Sequence, residues 1–186
     1  AGGGAASAAA GDGAVMEDNV TKLGKSRMTY SDFERLPSGL QIRDVKQGEG
    51  RSPREGDRVV LDWEGVTVGY YGRIIQGKNK VKGGAFDATE TDYFRFVVGA
   101  GRAIPAVDEA VRSMKEGGVR QLLVPPELGY PPSDPAHDVV GPKPSTFSGQ
   151  RALNFVLENR GLIDKSLLIN VKLVRVDRPG ERGFKN

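Results

Sequence analysis

The sequence predicts an α+β fold in which a mainly antiparallel sheet packs against one helix. Apolar residues alternate with polar ones in several short stretches, which is the two-residue period of strands that bury one face. Only one segment has clear helical spacing together with suitable end residues. Strands and helices do not alternate regularly, as they would in a parallel sheet, and this favours the α+β class.

The strands are predicted from the alternating apolar positions and from one apolar run. The alternating positions are Leu40, Ile42 and Val45; Val59, Leu61 and Trp63; Phe94, Phe96 and Val98; and Leu167, Ile169, Val171 and Leu173. The apolar run, residues 119–124, stops at Pro125 and Pro126, and Tyr130 follows at once. A strand therefore ends where a phenol hydroxyl can face a cleft.

The helix is predicted between Ile104 and Gly117. Pro105 suits the first helical turn, and Gly117 is placed as a C-terminal cap. The positions that share one helical face are Val107, Ala110, Val111 and Met114.

The chain is predicted to contain one folded domain at residues 36–178. Residues 1–35 form a low-complexity segment and a charged arm, since the first 13 residues contain too little apolar surface to offset the entropy of ordering them. Residues 179–186 are a polar tail. An insertion at about 131–163, consisting of a proline-rich loop and a short helix, precedes the last strand; loops this long are usually functional or face a partner.

Composition excludes several classes of function. The chain has 186 residues and a formal net charge of +3 from 27 basic and 24 acidic residues, which argues against a nucleic-acid partner. It has no cysteine, so it has no disulfide, thiol nucleophile or zinc–thiolate site. The single histidine, His137, lies near Asp134 and Asp138 and is expected to be solvated. We expect no metal and no cofactor. We also expect no transmembrane segment, because no stretch of the sequence approaches the roughly 20 apolar residues that span a bilayer.

Six motifs occur in a familiar order. They are Val60-Leu-Asp-Trp-Glu-Gly65, Phe86-Asp87, Phe94-Arg-Phe96-Val-Val-Gly99, Ile104-Pro105, Met114-Lys-Glu-Gly117 and Val124-Pro-Pro-Glu-Leu-Gly-Tyr130. In this order and spacing, from about residue 36 to 176, the sequence resembles the FKBP-type peptidyl-prolyl cis-trans isomerases. The resemblance implies a bent sheet wrapped around one short helix, with a pocket between them that isomerises X–Pro bonds of protein clients.

The resemblance also implies roles for individual residues. Asp87, Tyr130 and Phe86 would be catalytic, with the Tyr130 hydroxyl donating to a substrate carbonyl and Asp87 near the twisting amide. The backbone N–H of Ile104 would hold a second carbonyl. The remaining residues expected to line the pocket are Trp63, Phe94, Ile104, Val107 and Ile169.

Ordinary core packing is the alternative for these side chains. For Phe94, Phe96 and Ile169 taken alone it is the better interpretation, because alternating apolar residues on strands are usually core. For Phe86 and Asp87 with Tyr130 the site is favoured, because a carboxylate is costly to bury among aromatic rings without a purpose.

Four departures from the family pattern predict weak activity and poor affinity for macrolide-type ligands. Trp63 stands where the family usually has a tyrosine, and Val107 stands where it usually has the tryptophan of the pocket floor. Ile169 stands where the family usually has an aromatic residue on the last strand. The arginine that usually pairs with the aspartate is missing, so Asp87 is less well paired.

The insertion resembles that of a plant and algal chloroplast subgroup located in the thylakoid lumen, and this resemblance alone suggests the localisation. Its predicted helix has more apolar residues than one buried face needs. The competing hypothesis is therefore a largely non-catalytic binding module, or an assembly subunit of a photosynthetic thylakoid complex.

Overall fold

A computed structural model describes residues 15–17, 27–77 and 93–182. Two short strands pair with each other: β1 (Val15–Glu17) and β2 (Arg27–Thr29). Within the described ranges, seven further strands form one antiparallel sheet. They are β3 (Glu34–Arg35), β4 (Gln41–Lys46), β5 (Arg58–Thr67), β6 (Ile74–Gln76), β7 (Phe94–Val97), β8 (Val119–Val124) and β9 (Leu167–Asp177).

The spatial order of this sheet is β3-β4-β8-β9-β5-β6, and β7 also pairs with β5. The two longest strands, β5 and β9, lie side by side along their whole length. Val59, Leu61 and Trp63 of β5 are all buried, as their alternation predicts. The predicted α+β class with an antiparallel sheet is confirmed.

The first helix, α1 (Pro105–Arg112), packs against this sheet and buries Val107, Ala110 and Val111 completely. The prediction that it continues to a cap at Gly117 is wrong. The chain leaves the helix after Arg112, and Gly117 instead occupies a left-handed turn, with φ +87°, from which its N–H donates to the Leu173 carbonyl.

The predicted insertion before the last strand is confirmed. A short 3₁₀ turn (Pro126–Leu128) and a long loop lead to the second helix, α2 (Phe147–Glu158), which is capped by the Thr146 side chain. The helix packs closely on β6, since a Cβ atom on Gly149 would lie 2.1 Å from the Ile75 carbonyl oxygen. The Gly141–Pro142 peptide bond in the loop is cis. In the described ranges neither helix has the length and apolar character of a membrane span.

Arg120 on β8 joins α1 to the sheet. It is 4% exposed, and its guanidinium donates to both carboxylate oxygens of Asp44 on β4, over 2.6 and 3.1 Å. The same group donates to the Ala110 carbonyl and the Ser113 hydroxyl at the end of α1. These bonds satisfy groups that the end of a helix leaves without partners. They also lower the pKa of Asp44, chiefly through the side-chain hydrogen bond from Arg120.

We predict that Arg120→Met lowers the free energy of unfolding by about 3 kcal/mol at neutral pH, because it leaves buried acceptors unpaired. The control, Arg43→Met, removes an exposed pair with Asp32 and should cost less than about 1 kcal/mol. The pKa of Asp44 is lower in the folded state than in the unfolded state. The stabilisation from its pairing with Arg120 is therefore fully present above the ordinary aspartate pKa of about 3.9, and it is lost as the pH falls through the lowered value. Urea unfolding at neutral and acidic pH measures both effects. Equal losses in the two variants would contradict this role.

Candidate functional site

An open groove of about 700 Å³ lies between β5, the start of β7 and the inserted loop. Trp63 and Phe94 form one side of it, and His137, Gly141 and Pro144 belong to the loop on the other. Residues 78–92, which join β6 to β7, lie outside the described ranges. The predicted catalytic residues Phe86 and Asp87 are among them.

Tyr130 lies against the inserted loop that lines this groove, shortly after the proline turn that follows β8. Its side chain is 4% exposed, and its hydroxyl donates to the Pro142 carbonyl over 2.5 Å. Burial raises the pKa of the Tyr130 phenol, so the hydroxyl stays protonated and remains a donor. The His137 ring packs edge-on against the phenol ring, with centroids 4.7 Å apart.

Ile104 precedes α1 and approaches the same loop through its backbone. Its N–H donates to the Gly141 carbonyl over 2.8 Å, and the Gly141 N–H donates to the Arg102 carbonyl over 2.9 Å. Ala103 and Gly141 accordingly form an isolated parallel bridge. We call the dipeptide Gly141–Pro142 the Gly–Pro segment. The Ile104 amide and the Tyr130 hydroxyl thus bind its two successive carbonyls.

Phe94 closes the outer side of the Gly–Pro segment. A Cβ atom on Gly141 would lie 2.4 Å from Cε2 of the Phe94 ring, so only glycine permits this approach. The Phe94 ring also stacks on Phe96, with centroids 5.2 Å apart.

Asp134 organises the loop that carries the Gly–Pro segment. Its carboxylate accepts the N–H groups of Asp138, Val139 and Val140. These hydrogen bonds lower the pKa of Asp134, and the bond from the Val140 N–H has the largest effect. Asp134 therefore fixes the three residues immediately before Gly141.

His137 ties the same loop to α2, and the prediction that it is solvated is wrong. Its side chain is buried, and its Nε2 lies 2.6 Å from Oδ1 of Asn154. Asn154 also donates to the Pro135 carbonyl. Sequence could not show this burial, because it depends on how the loop folds over Tyr130. Across the described ranges, no three potential ligands cluster as a metal site.

Three predicted pocket residues, Phe94, Ile104 and Tyr130, thus contact the Gly–Pro segment, and a fourth, Trp63, lines the groove beside it. Val107 and Ile169 are fully buried in the core, and neither lines the groove. Sequence reasoning missed the Gly–Pro segment and its anchor, Asp134. The available signal was a Gly–Pro dipeptide within the insertion of a chain that resembles a proline-binding family.

The antiparallel sheet with α1 packed against it, and the two buried donors that bind a Gly–Pro dipeptide, define the class of domain, and comparison with known proteins identifies its family. The family model for FKBP-type peptidyl-prolyl cis-trans isomerases matches residues 49–174. The chain belongs to this family, which confirms the resemblance.

Two Arabidopsis thaliana proteins are similar in sequence. Peptidyl-prolyl cis-trans isomerase FKBP19, chloroplastic, is 51% identical over 153 residues, which is 82% of this chain and 59% of that protein. Peptidyl-prolyl cis-trans isomerase FKBP17-1, chloroplastic, is 34% identical over 127 residues, 63% of this chain and 51% of that protein. The chain thus spans between half and three fifths of these relatives. Their names support a chloroplast location for it.

Solved structures show the same fold. FkpA from Escherichia coli matches with a TM-score of 0.50 and 21% identity, over 81% of this chain and 54% of that one. The three-domain structure of wheat FKBP73 also gives 0.50, with 23% identity over 81% of this chain and 53% of that one. At these identities the likeness concerns the fold alone.

Proposed function

We propose that the protein is a peptidyl-prolyl cis-trans isomerase of weak activity that acts on X–Pro bonds of protein clients. The observation that carries the proposal is the pairing of two donors, the Tyr130 hydroxyl and the Ile104 N–H, with successive carbonyls of a Gly–Pro dipeptide. Family membership supports the same activity. A pocket that holds its own proline dipeptide in this way has the donors needed for one from a client.

The chemistry requires neither a nucleophile nor a metal. Rotation about an X–Pro bond is slow because it breaks amide resonance, with a barrier of about 18–20 kcal/mol. A catalyst need only favour the twisted amide over the planar one. Tyr130 and Ile104 would hold the client's carbonyls, while the rings of Phe94 and Trp63 exclude water from the rotating bond. Phe86 and Asp87 are proposed as the remaining catalytic residues, on family resemblance.

The residue types at two positions that line the pocket in the family support weak rather than strong activity. Val107 and Ile169, which occupy positions where the family usually has aromatic residues, are fully buried and offer little surface to a proline ring. The relatives' names support a chloroplast location, and the insertion's resemblance supports the thylakoid lumen as the compartment.

A protease-coupled assay with a proline peptide tests the activity. We expect measurable turnover, which Phe86→Ala lowers by about tenfold or more, since a lost apolar wall costs about 1.5–3 kcal/mol of substrate burial. Phe33→Ala is the control, because Phe33 lies beside Tyr30 and Arg43, outside the groove. Turnover that both substitutions leave unchanged would remove the site assignment. The absence of any turnover would remove the function itself.

A second candidate function, docking onto a photosynthetic membrane complex, is favoured by an aromatic patch beside α2. The patch consists of Tyr71 and Phe155, which are 95% and 45% exposed, together with Tyr70. Tyr70 links the other two, since its ring centroid lies 4.2 Å from that of Phe155, in a tilted arrangement, and 6.0 Å from that of Tyr71. Tyr71 has a left-handed backbone, with φ +61°, which is unusual for a side chain of this size.

The docking function predicts that the protein is retained by solubilised thylakoid complexes and that Phe155→Ser lowers this retention by about tenfold. Val45→Ser is the control, because Val45 is 58% exposed but lies on β4, near the opposite end of the sheet from β6 and α2. The Phe86→Ala variant should bind normally, because its change affects the proposed pocket. Equal retention of all variants would exclude docking through the aromatic patch.

A further inference from the structure

We propose that the Gly–Pro segment is an internal competitor of client peptides, so that the protein closes its own proline pocket and opens it only when the inserted loop withdraws. This inference rests on the function proposed above. It assigns a regulatory role to the insertion, and it names the residues that set the balance between the closed and open states.

The occupied donors are the first step of the argument. Tyr130 has one hydroxyl hydrogen and Ile104 has one amide hydrogen, and both are directed at the Gly–Pro segment. Both residues are almost completely removed from solvent, at 4% and 0% exposure. A client carbonyl therefore cannot reach either donor while the Gly–Pro segment is in place.

The second step is how the segment is kept in place. On its N-terminal side, the Asp134 carboxylate binds three successive N–H groups that end at Val140. On its C-terminal side, the N–H and the hydroxyl of Ser145 both donate to Oε1 of Gln76 on β6. Lys143 pairs with Asp138 across the segment. These polar contacts hold the segment at its two ends, in addition to the bonds that it makes with Tyr130, Ile104 and Arg102.

The third step concerns the room for withdrawal. The groove of about 700 Å³ lies directly beside Gly141, and Val139, which precedes the segment, is 53% exposed. Withdrawal of the loop would free the Tyr130 hydroxyl and the Ile104 amide and leave the core between the sheet and α1 intact. Since only open molecules bind clients, the apparent affinity falls in proportion to the open fraction.

Two substitutions displace the segment by different means. Asp134→Asn keeps the shape of the anchor but removes its charge and one acceptor oxygen. Asp164→Asn is the control, since the Asp164 carboxylate accepts the Ser166 N–H elsewhere in the chain.

Gly141→Leu places a side chain where the Phe94 ring leaves no room. Gly77→Leu is its control, because a Cβ there meets no described atom within 4 Å. We expect each displacing variant to raise kcat/KM for a proline peptide about tenfold over the unchanged protein and the controls.

Hydrogen exchange of the Ile104 amide reports opening without reference to activity. We expect exchange at Ile104 to accelerate tenfold or more in both displacing variants. The Val107 amide, which donates to the Ile104 carbonyl within α1, should stay protected and so shows that the domain remains folded. Unchanged exchange at Ile104 in both variants would overturn the assignment of the segment as its partner.

A double substitution distinguishes competition from an unrelated gain in activity. In the unchanged protein Tyr130→Phe removes a bond from the closed state and from the client complex alike, so part of the loss cancels and kcat/KM should fall by a smaller factor than it does in the open background. In the Gly141→Leu background only the client bond remains to be lost, and Tyr130→Phe should lower kcat/KM about tenfold. An equal effect in both backgrounds would contradict competition for the hydroxyl.

Failure of this inference differs from failure of the proposed function. If Ile104 exchange accelerates while turnover stays at the level of the unchanged protein, the segment does not compete with clients, although the isomerase assignment stands. If no variant, open or closed, shows turnover, the isomerase function itself is wrong and the inference falls with it.

Discussion

The structure depends on one pair of hydrogen bonds, from the Tyr130 hydroxyl and the Ile104 N–H to the two carbonyls of the Gly–Pro segment. These bonds bring together parts of the chain that are far apart in sequence: the end of β8, the start of α1 and the inserted loop. An unpaired buried donor costs about 1–3 kcal/mol, so either donor left without a partner would be unfavourable. Each donor therefore requires an acceptor, from the chain itself or from a client.

This requirement explains why one insertion can affect both folding and function. Asp134, His137 and Asn154 fix the loop against Tyr130 and α2, and the loop in turn covers the pocket. A loop held over the pocket mainly by individual hydrogen bonds opens more easily than the core beneath it, because local opening breaks only some of the native contacts. Two separate effects limit activity. One is the loss of aromatic rings at Val107 and Ile169, where the family usually has them, and the other is the occupation of the two donors by the Gly–Pro segment. Substitutions in the loop change only the second.

Much of the fold could be predicted from the sequence because it follows from periodicity. The alternation at Val59, Leu61 and Trp63 gave the right strand and the right buried face, and residues 119–124 gave β8. The prediction that α1 continues to Gly117 was wrong because the helix end depends on Arg120, a residue outside the helix that donates to the Ala110 carbonyl. The burial of His137 and the partner of Tyr130 could not be predicted, since a proline-rich loop has no period and its path depends on the surface that it covers.

The most direct measurement is an NMR titration of the unchanged protein with a proline-containing peptide, followed at the amides of Ile104 and Gly141. The Gly141 N–H bonds to the Arg102 carbonyl only while the segment is in place. The account predicts that both amides shift along one binding curve, because a client must displace the Gly–Pro segment to reach Ile104. A shift at Ile104 with an unchanged Gly141 amide would contradict it, since the client would then bind beside the segment.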